Sequence, residues 1–109
     1  MIITRTPFRI PLAGGGTDLD FYYRIKKGEM ISSTFNHYIF VLLAERPTDD
    51  KILIQTTTTQ FSNNINKVKH KIIKEVLKYF NIRKKIQIGT FSTLPSSSGL
   101  GTSSSLIVG

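Results

Sequence analysis

The sequence predicts one small α+β domain, and three observations predict it. A chain of 109 residues supplies one modest hydrophobic core and too little polypeptide for two. Runs rich in β-branched and aromatic residues recur at 2–5, 8–12, 30–44, 52–55 and 86–91, the signature of strands. Between the last two, Ile65, Val68, Ile72, Val76, Leu77 and Phe80 fall at helical spacing, which predicts a helix over 64–80.

The remaining elements follow from local chemistry. The segment 2–5 and the segment 8–12 read as two short strands, the second ending in the run Ala13-Gly14-Gly15-Gly16, where the backbone bends tightly. Thr17 or Asp18 is placed to cap a short helix that runs through Arg24, with Gly28 as its stop signal. The stretch 30–44 reads as a strand pair broken near Asn36-His37. Pro47-Thr48-Asp49-Asp50 is a turn, and the polar tract 56–64 reads as a loop. Beyond the strand at 86–91, a Gly/Ser/Pro loop at 94–101 leads into the start of a helix at 102–109. Two turns of helix bury an apolar side poorly, so the chain is expected to be truncated there.

Composition narrows the function classes. Apolar residues at 39% and charged residues at 20% describe a soluble globular protein, and no window offers the roughly 18 apolar residues of a membrane span. With no cysteine there is no disulfide, thiolate zinc site or cysteine nucleophile. The N-terminus lacks the pattern of a secretory signal, so a cytoplasmic address is expected. The net charge of +8 suggests nucleic acid at first sight, but it is concentrated. Between Asn64 and Lys85 lie eight basic residues and the single acid Glu75, with no interleaved aromatic residues among the helix lysines, which reads as the solvated face of the helix. Nucleic acid and membrane are therefore not expected partners.

The loop Leu94-Pro95-Ser96-Ser97-Ser98-Gly99-Leu100-Gly101-Thr102-Ser103-Ser104 has the chemistry of a phosphate cradle. Glycines admit an anion close to the backbone, amide hydrogens at a helix start point at it, and hydroxyls bind phosphate oxygens or Mg²⁺. No Lys follows Gly101, so it is not a Walker loop, and neither glycine-rich segment satisfies G-x-G-x-x-G. On composition alone, a serine-rich turn capping a helix is the preferred reading.

The complete pattern shifts that balance. Pro-x-x-x-Gly-Leu-Gly-(Ser/Thr)-Ser closely resembles the central ATP-binding motif of the GHMP kinase family. The segment Thr6-Pro7-Phe8-Arg9-Ile10-Pro11-Leu12-Ala13-Gly14-Gly15-Gly16-Thr17-Asp18 resembles that family's first motif, a strand entering a substrate loop. The Ala-Gly-Gly-Gly-Thr-Asp form looks most like the D-glycero-D-manno-heptose 7-phosphate kinase branch, with fucokinase-type domains as neighbours. The resemblance implies the N-terminal domain of a GHMP-type kinase with ribosomal-protein-like βαβ topology, its substrate loop at 13–18 and its ATP loop at 94–105. It also implies a C-terminal domain lying outside these 109 residues.

The resemblance carries roles onto particular positions. Gly99, Leu100, Gly101, Thr102 and Ser103 would wrap the ATP triphosphate, Pro95, Ser96, Ser97, Ser98 and Ser104 would add to that loop, and Ser103 would be the hydroxyl ligand to Mg²⁺. Asp18 would take sugar hydroxyls, while Gly15, Gly16 and Thr17 would let the substrate approach the backbone. Arg9 sits where the family places a basic residue near the transferred phosphoryl group, and fixed positive charge there stabilises developing negative charge. Two glycines in place of the Glu-His of galactokinases disfavour galactose and favour a bulkier or phosphorylated sugar. The family's catalytic base and third glycine-rich motif would fall after Gly109, so these 109 residues alone are expected not to turn over.

His37 and His70 show no metal-ligand spacing and read as ordinary hydrogen-bond partners. Asp20, Glu29, Glu45, Asp49 and Asp50 read as surface or turn residues, and Tyr22, Tyr23, Tyr38, Phe40 and Phe91 as core. The expected function is an ATP- and Mg²⁺-dependent sugar kinase acting on the anomeric hydroxyl of a heptose 7-phosphate, for nucleotide-activated heptose and surface polysaccharide. The alternatives are an L-fucose or other hexose kinase of the same family, and a basic RNA-binding or nucleotide-binding module without catalysis.

Overall fold

The computed structural model of the chain describes residues 1–95 and 100–109. Five strands form one mixed sheet: β1 (Ile2–Ala13), β2 (Ile31–Glu45), β3 (Ile52–Gln55), β4 (Thr59–Ser62) and β5 (Ile86–Ser92), in the order β1-β2-β5-β3-β4. All neighbours are antiparallel except β3 and β5, which run parallel. A parallel pair requires a crossover, and the segment carrying a 3₁₀ turn (Ile65–Lys67) and helix α2 (Lys71–Tyr79) supplies it. Helix α1 (Asp20–Tyr23) lies between β1 and β2, and α3 (Thr102–Val108) closes the chain. This is the α+β architecture expected.

The core lies between one sheet face and the helices. Strand alternation sends Val41, Ile52, Ile54, Ile86 and Ile88 to that face, where they meet Val68 before α2 and Ile73 and Leu77 within it. Leu106 of α3 packs on the edge of the same cluster, while Ile107 and Val108 remain exposed.

Several boundaries differ from the sequence expectation. The two short N-terminal strands are one strand, and so is the expected pair at 30–44. What interrupts them is a bulge: Pro7 pairs with Tyr38 and Arg9 with Thr34, so Phe35, Asn36 and His37 together face Phe8. The tract read as a loop contains β4, whose sequence Thr-Gln-Phe-Ser alternates too briefly to stand out. The long helix is divided, because Val68 is extended (φ −65°, ψ 123°) and His70 restarts the helix by accepting the Ile73 N–H on Nδ1 at 3.4 Å.

Neither Thr17 nor Asp18 caps the first helix; Leu19 stands at its N-cap and provides no side-chain hydrogen bond. Tyr23 and Phe91 are exposed and Tyr22, Tyr38 and Phe40 half-buried, so these aromatics are not core. Tyr38 instead lies under the Arg5 guanidinium, 4.7 Å from ring centroid to Cζ.

Candidate functional site

Arg9 follows the point where the bulge of β2 faces Phe8. Phe8 is fully buried, and the side chain of Arg9, the next residue, lies beside the start of α3. Ser105 of α3 donates to the Pro7 carbonyl at 3.3 Å, which fixes the helix beside this part of β1. The Arg9 side chain consequently lies against Gly101: a Cβ built on that glycine falls 3.4 Å from Arg9 Cγ and 3.5 Å from Nε. Gly101 is in the left-handed region, at φ 75°, and stands at the N-cap of α3 without any side-chain cap. The first intrahelical bond is Ser105 N–H to Gly101 O, so the amides of Thr102, Ser103 and Ser104 have no acceptor within the helix. Ser103 and Ser104 are exposed; Leu100, Gly101 and Thr102 are half-buried.

The other end of Arg9 reaches the first glycine-rich loop. Its Nη2 lies 3.7 Å from Asp18 Oδ2, and its Nη1 donates to the Met30 sulfur at 3.6 Å. The guanidinium is about one-third exposed and Asp18 about half, so both charges face a solvent-filled space rather than the core. Gly15 and Gly16 form the outer part of the loop, and no atom lies within 4 Å of a Cβ built on Gly16. Thr17 directs its hydroxyl back into the protein, onto Gly14 O at 2.8 Å and Glu29 O at 3.0 Å.

The structure thus brings Gly101 beside Arg9 and Asp18, from which it is separated by most of the chain. Ser96, Ser97, Ser98 and Gly99 lie outside the described residues, and Pro95 is exposed at the approach to them. Sequence reasoning missed Met30 and the Gly28–Glu29 backbone. Gly28 was legible only as a helix stop, whereas its actual role is close approach to Thr17. His37 and His70 behave as expected, with His37 Nδ1 3.2 Å from Thr93 Oγ1 and His70 at the start of α2. Among the described residues, no cluster of three or more His, Cys, Asp or Glu side chains is arranged to hold a metal ion. None of the described helices is long and apolar enough to cross a membrane.

No family model matches the chain. Comparison with individual proteins is informative. The chain is 35% identical, over 99% of its length, to the D-glycero-alpha-D-manno-heptose 7-phosphate kinase of Campylobacter jejuni, and spans 35% of that relative. The crystal structure of a D-glycero-D-manno-heptose 1-phosphate kinase from Bacteroides thetaiotaomicron superposes with a TM-score of 0.83 at 27% identity, covering 99% of this chain and 39% of that one. The Methanococcus jannaschii mevalonate kinase gives 0.69 at 25% identity, covering 99% and 37% respectively. The chain therefore spans little more than a third of the length of the kinases it matches. Shared fold and shared sequence agree in likening the chain to kinases of the GHMP family.

Proposed function

We propose that the protein containing this chain transfers the γ-phosphoryl group of ATP to a sugar hydroxyl, with the anomeric hydroxyl of a heptose 7-phosphate as acceptor. The observation that carries this reading is the position of Arg9, one side against Gly101 at the nucleotide-type loop and the other beside Asp18 at the substrate-type loop. A phosphoryl group passing from one loop to the other crosses the space this guanidinium faces. In the transfer, the acceptor hydroxyl gives up its proton to solvent as its oxygen bonds to the γ-phosphorus, the bridging P–O bond to the β-phosphate breaks, and ADP leaves with that bond's electron pair. Catalysis then rests on positioning and charge neutralisation.

Each residue has a task in that scheme. The amides at the start of α3, which have no acceptor within the helix, and the hydroxyls of Thr102, Ser103 and Ser104 suit phosphate oxygens, and the left-handed Gly101 allows close approach. Ser96 to Gly99 belong to this loop by sequence. The Ser103 hydroxyl would hold Mg²⁺, which would neutralise charge on the transferred phosphates, since Mg²⁺ binds with few protein ligands beside substrate phosphates. Asp18 orients sugar hydroxyls by accepting their protons in hydrogen bonds, and Gly15 and Gly16 keep the loop free of side chains where the sugar approaches.

Support for a phosphorylated heptose comes from the names of the two heptose phosphate kinases above and from the Gly-Gly form of the loop. A cytoplasmic site of action accords with the need for ATP. The test is ADP release by the purified full gene product with Mg-ATP and a panel of D-glycero-D-manno-heptose 7-phosphate, L-fucose and free hexoses. Turnover is expected on the heptose phosphate. Preference for a free sugar would transfer the reading to the hexose kinases of the family, and no sugar-dependent ADP release from any member would overturn it.

A further inference from the structure

We infer that Thr17 is a positioning residue: its hydroxyl clasps the substrate loop to the backbone entering β2 and so fixes where Asp18 and Arg9 meet. This inference rests on the functional reading above and extends it to a residue whose side chain points away from the loop's open side.

The geometry is unusually constrained. Thr17 has one hydroxyl proton, shared between two carbonyls, Gly14 O at 2.8 Å and Glu29 O at 3.0 Å. The Thr17 amide also bonds Gly14 O, at 3.2 Å, closing the turn from within. Glycines on both sides permit this contact. A Cβ on Gly14 would lie 2.0 Å from Glu29 O, and one on Gly28 would lie 2.3 Å from Thr17 O, both impossible distances. Two backbone segments therefore touch directly, with the threonine hydroxyl bridging them.

What the clasp holds is the site itself. Asp18 follows Thr17 directly, and Met30, which follows Glu29, receives the Arg9 Nη1 contact. Each strand of the clasp thus leads to one end of the Arg9–Asp18 arrangement. Without the bridge, the loop is tied to β2 only by backbone contact, and the carboxylate loses a fixed distance from the guanidinium. Reacting groups displaced by about 1 Å lose on the order of 100-fold in rate.

The test compares Thr17→Val, Thr17→Ser and Gly28→Ala in the full gene product. Amide hydrogen exchange on the ligand-free protein is expected to show lost protection at 14–19 and 28–30 in Thr17→Val and Gly28→Ala, with α2 and β5 unchanged and Thr17→Ser close to wild type. Sugar kcat/KM is expected to fall roughly 10- to 100-fold in the first two variants, with KM for ATP little altered and recovery in Thr17→Ser. The double variant Thr17→Val/Gly28→Ala should be no worse than either single, because both open the same contact. Wild-type exchange protection in Thr17→Val, or additive losses in the double variant, would overturn the clasp. Absence of turnover in the wild-type protein would sink the kinase reading instead, and hydrogen exchange would still decide whether the clasp exists.

Discussion

Arg9 lies across Gly101 closely enough that a Cβ on the glycine would sit 3.4 Å from Arg9 Cγ, while the guanidinium ends 3.7 Å from Asp18. One side chain therefore spans both glycine-rich loops. Gly101→Ala disturbs this through the backbone, since alanine at φ 75° costs about 1 kcal/mol or more, while its methyl meets the arginine stem in van der Waals contact. The expected result is a fall of roughly tenfold or more in kcat/KM for ATP, with unchanged far-UV circular dichroism. Unaltered kinetics would show that the loop and Arg9 act independently.

Arg9 itself should matter for the chemical step more than for binding. Its charge faces the space between the loops, where the proposed transfer would develop negative charge. Removing a preorganised group of this kind typically lowers kcat by about 100- to 1,000-fold, which is expected for Arg9→Ala in steady-state assays of the full gene product. Arg9→Lys retains the charge but loses the planar fork that reaches Asp18 and Met30 together. It should recover only part of the rate, and full recovery would mean that charge alone is sufficient.

The parts of this fold that were legible in the sequence are those set by strong local patterns. Alternation at 86–91 and helical spacing through Ile72, Val76 and Leu77 identified β5 and α2, and the two glycine-rich motifs identified the loops that meet at Arg9. What stayed hidden depends on pairing across the chain. The fusion of two strands into β1 is visible only when Phe8 is set against Phe35, Asn36 and His37 of its partner, and β4 exists because β3 offers it an edge. The break at Val68 preserves apolar spacing, so periodicity alone cannot reveal it. Likewise, Gly28 has the same appearance in sequence whether it ends a helix or admits the Thr17 carbonyl.

The packing of α2 on the sheet supports the whole arrangement and gives a stability prediction. Leu77 is 2% exposed and lies in the cluster with Ile52, Ile54 and Ile88. Leu77→Ala removes buried methyl groups and leaves a cavity, a change that costs about 2–5 kcal/mol. It is expected to lower the denaturant midpoint of the transition followed by hydrogen exchange in β5. In contrast, Tyr79→Ala alters a side chain that is 84% exposed and should leave the midpoint nearly unmoved.

The turn between β2 and β3 should give stability a defined acid dependence. Asp49 receives hydrogen bonds from Arg46 Nε at 3.0 Å and from the Lys51 amide at 3.1 Å, and the Arg46 bonding above all holds its carboxyl down to about 2. Asp50 is lowered in the same direction by Lys84, whose Nζ lies 2.8 Å away, with Lys85 assisting. The Asp50 pairs join the turn to the residues entering β5, where Arg46 N–H also bonds Lys85 O at 2.9 Å. A carboxyl with a depressed folded pKa binds its proton less readily than in the unfolded chain, whose pKa is about 3.9. Its contribution is therefore complete above that value and disappears as the pH falls through about 2. Asp49→Asn should accordingly be less stable than wild type near neutrality, with the difference shrinking from about pH 4 downward in denaturant titrations at stepped pH. A difference that stays constant to pH 2 would mean that the Asp49 carboxylate, despite its bonding to Arg46, contributes nothing through its charge.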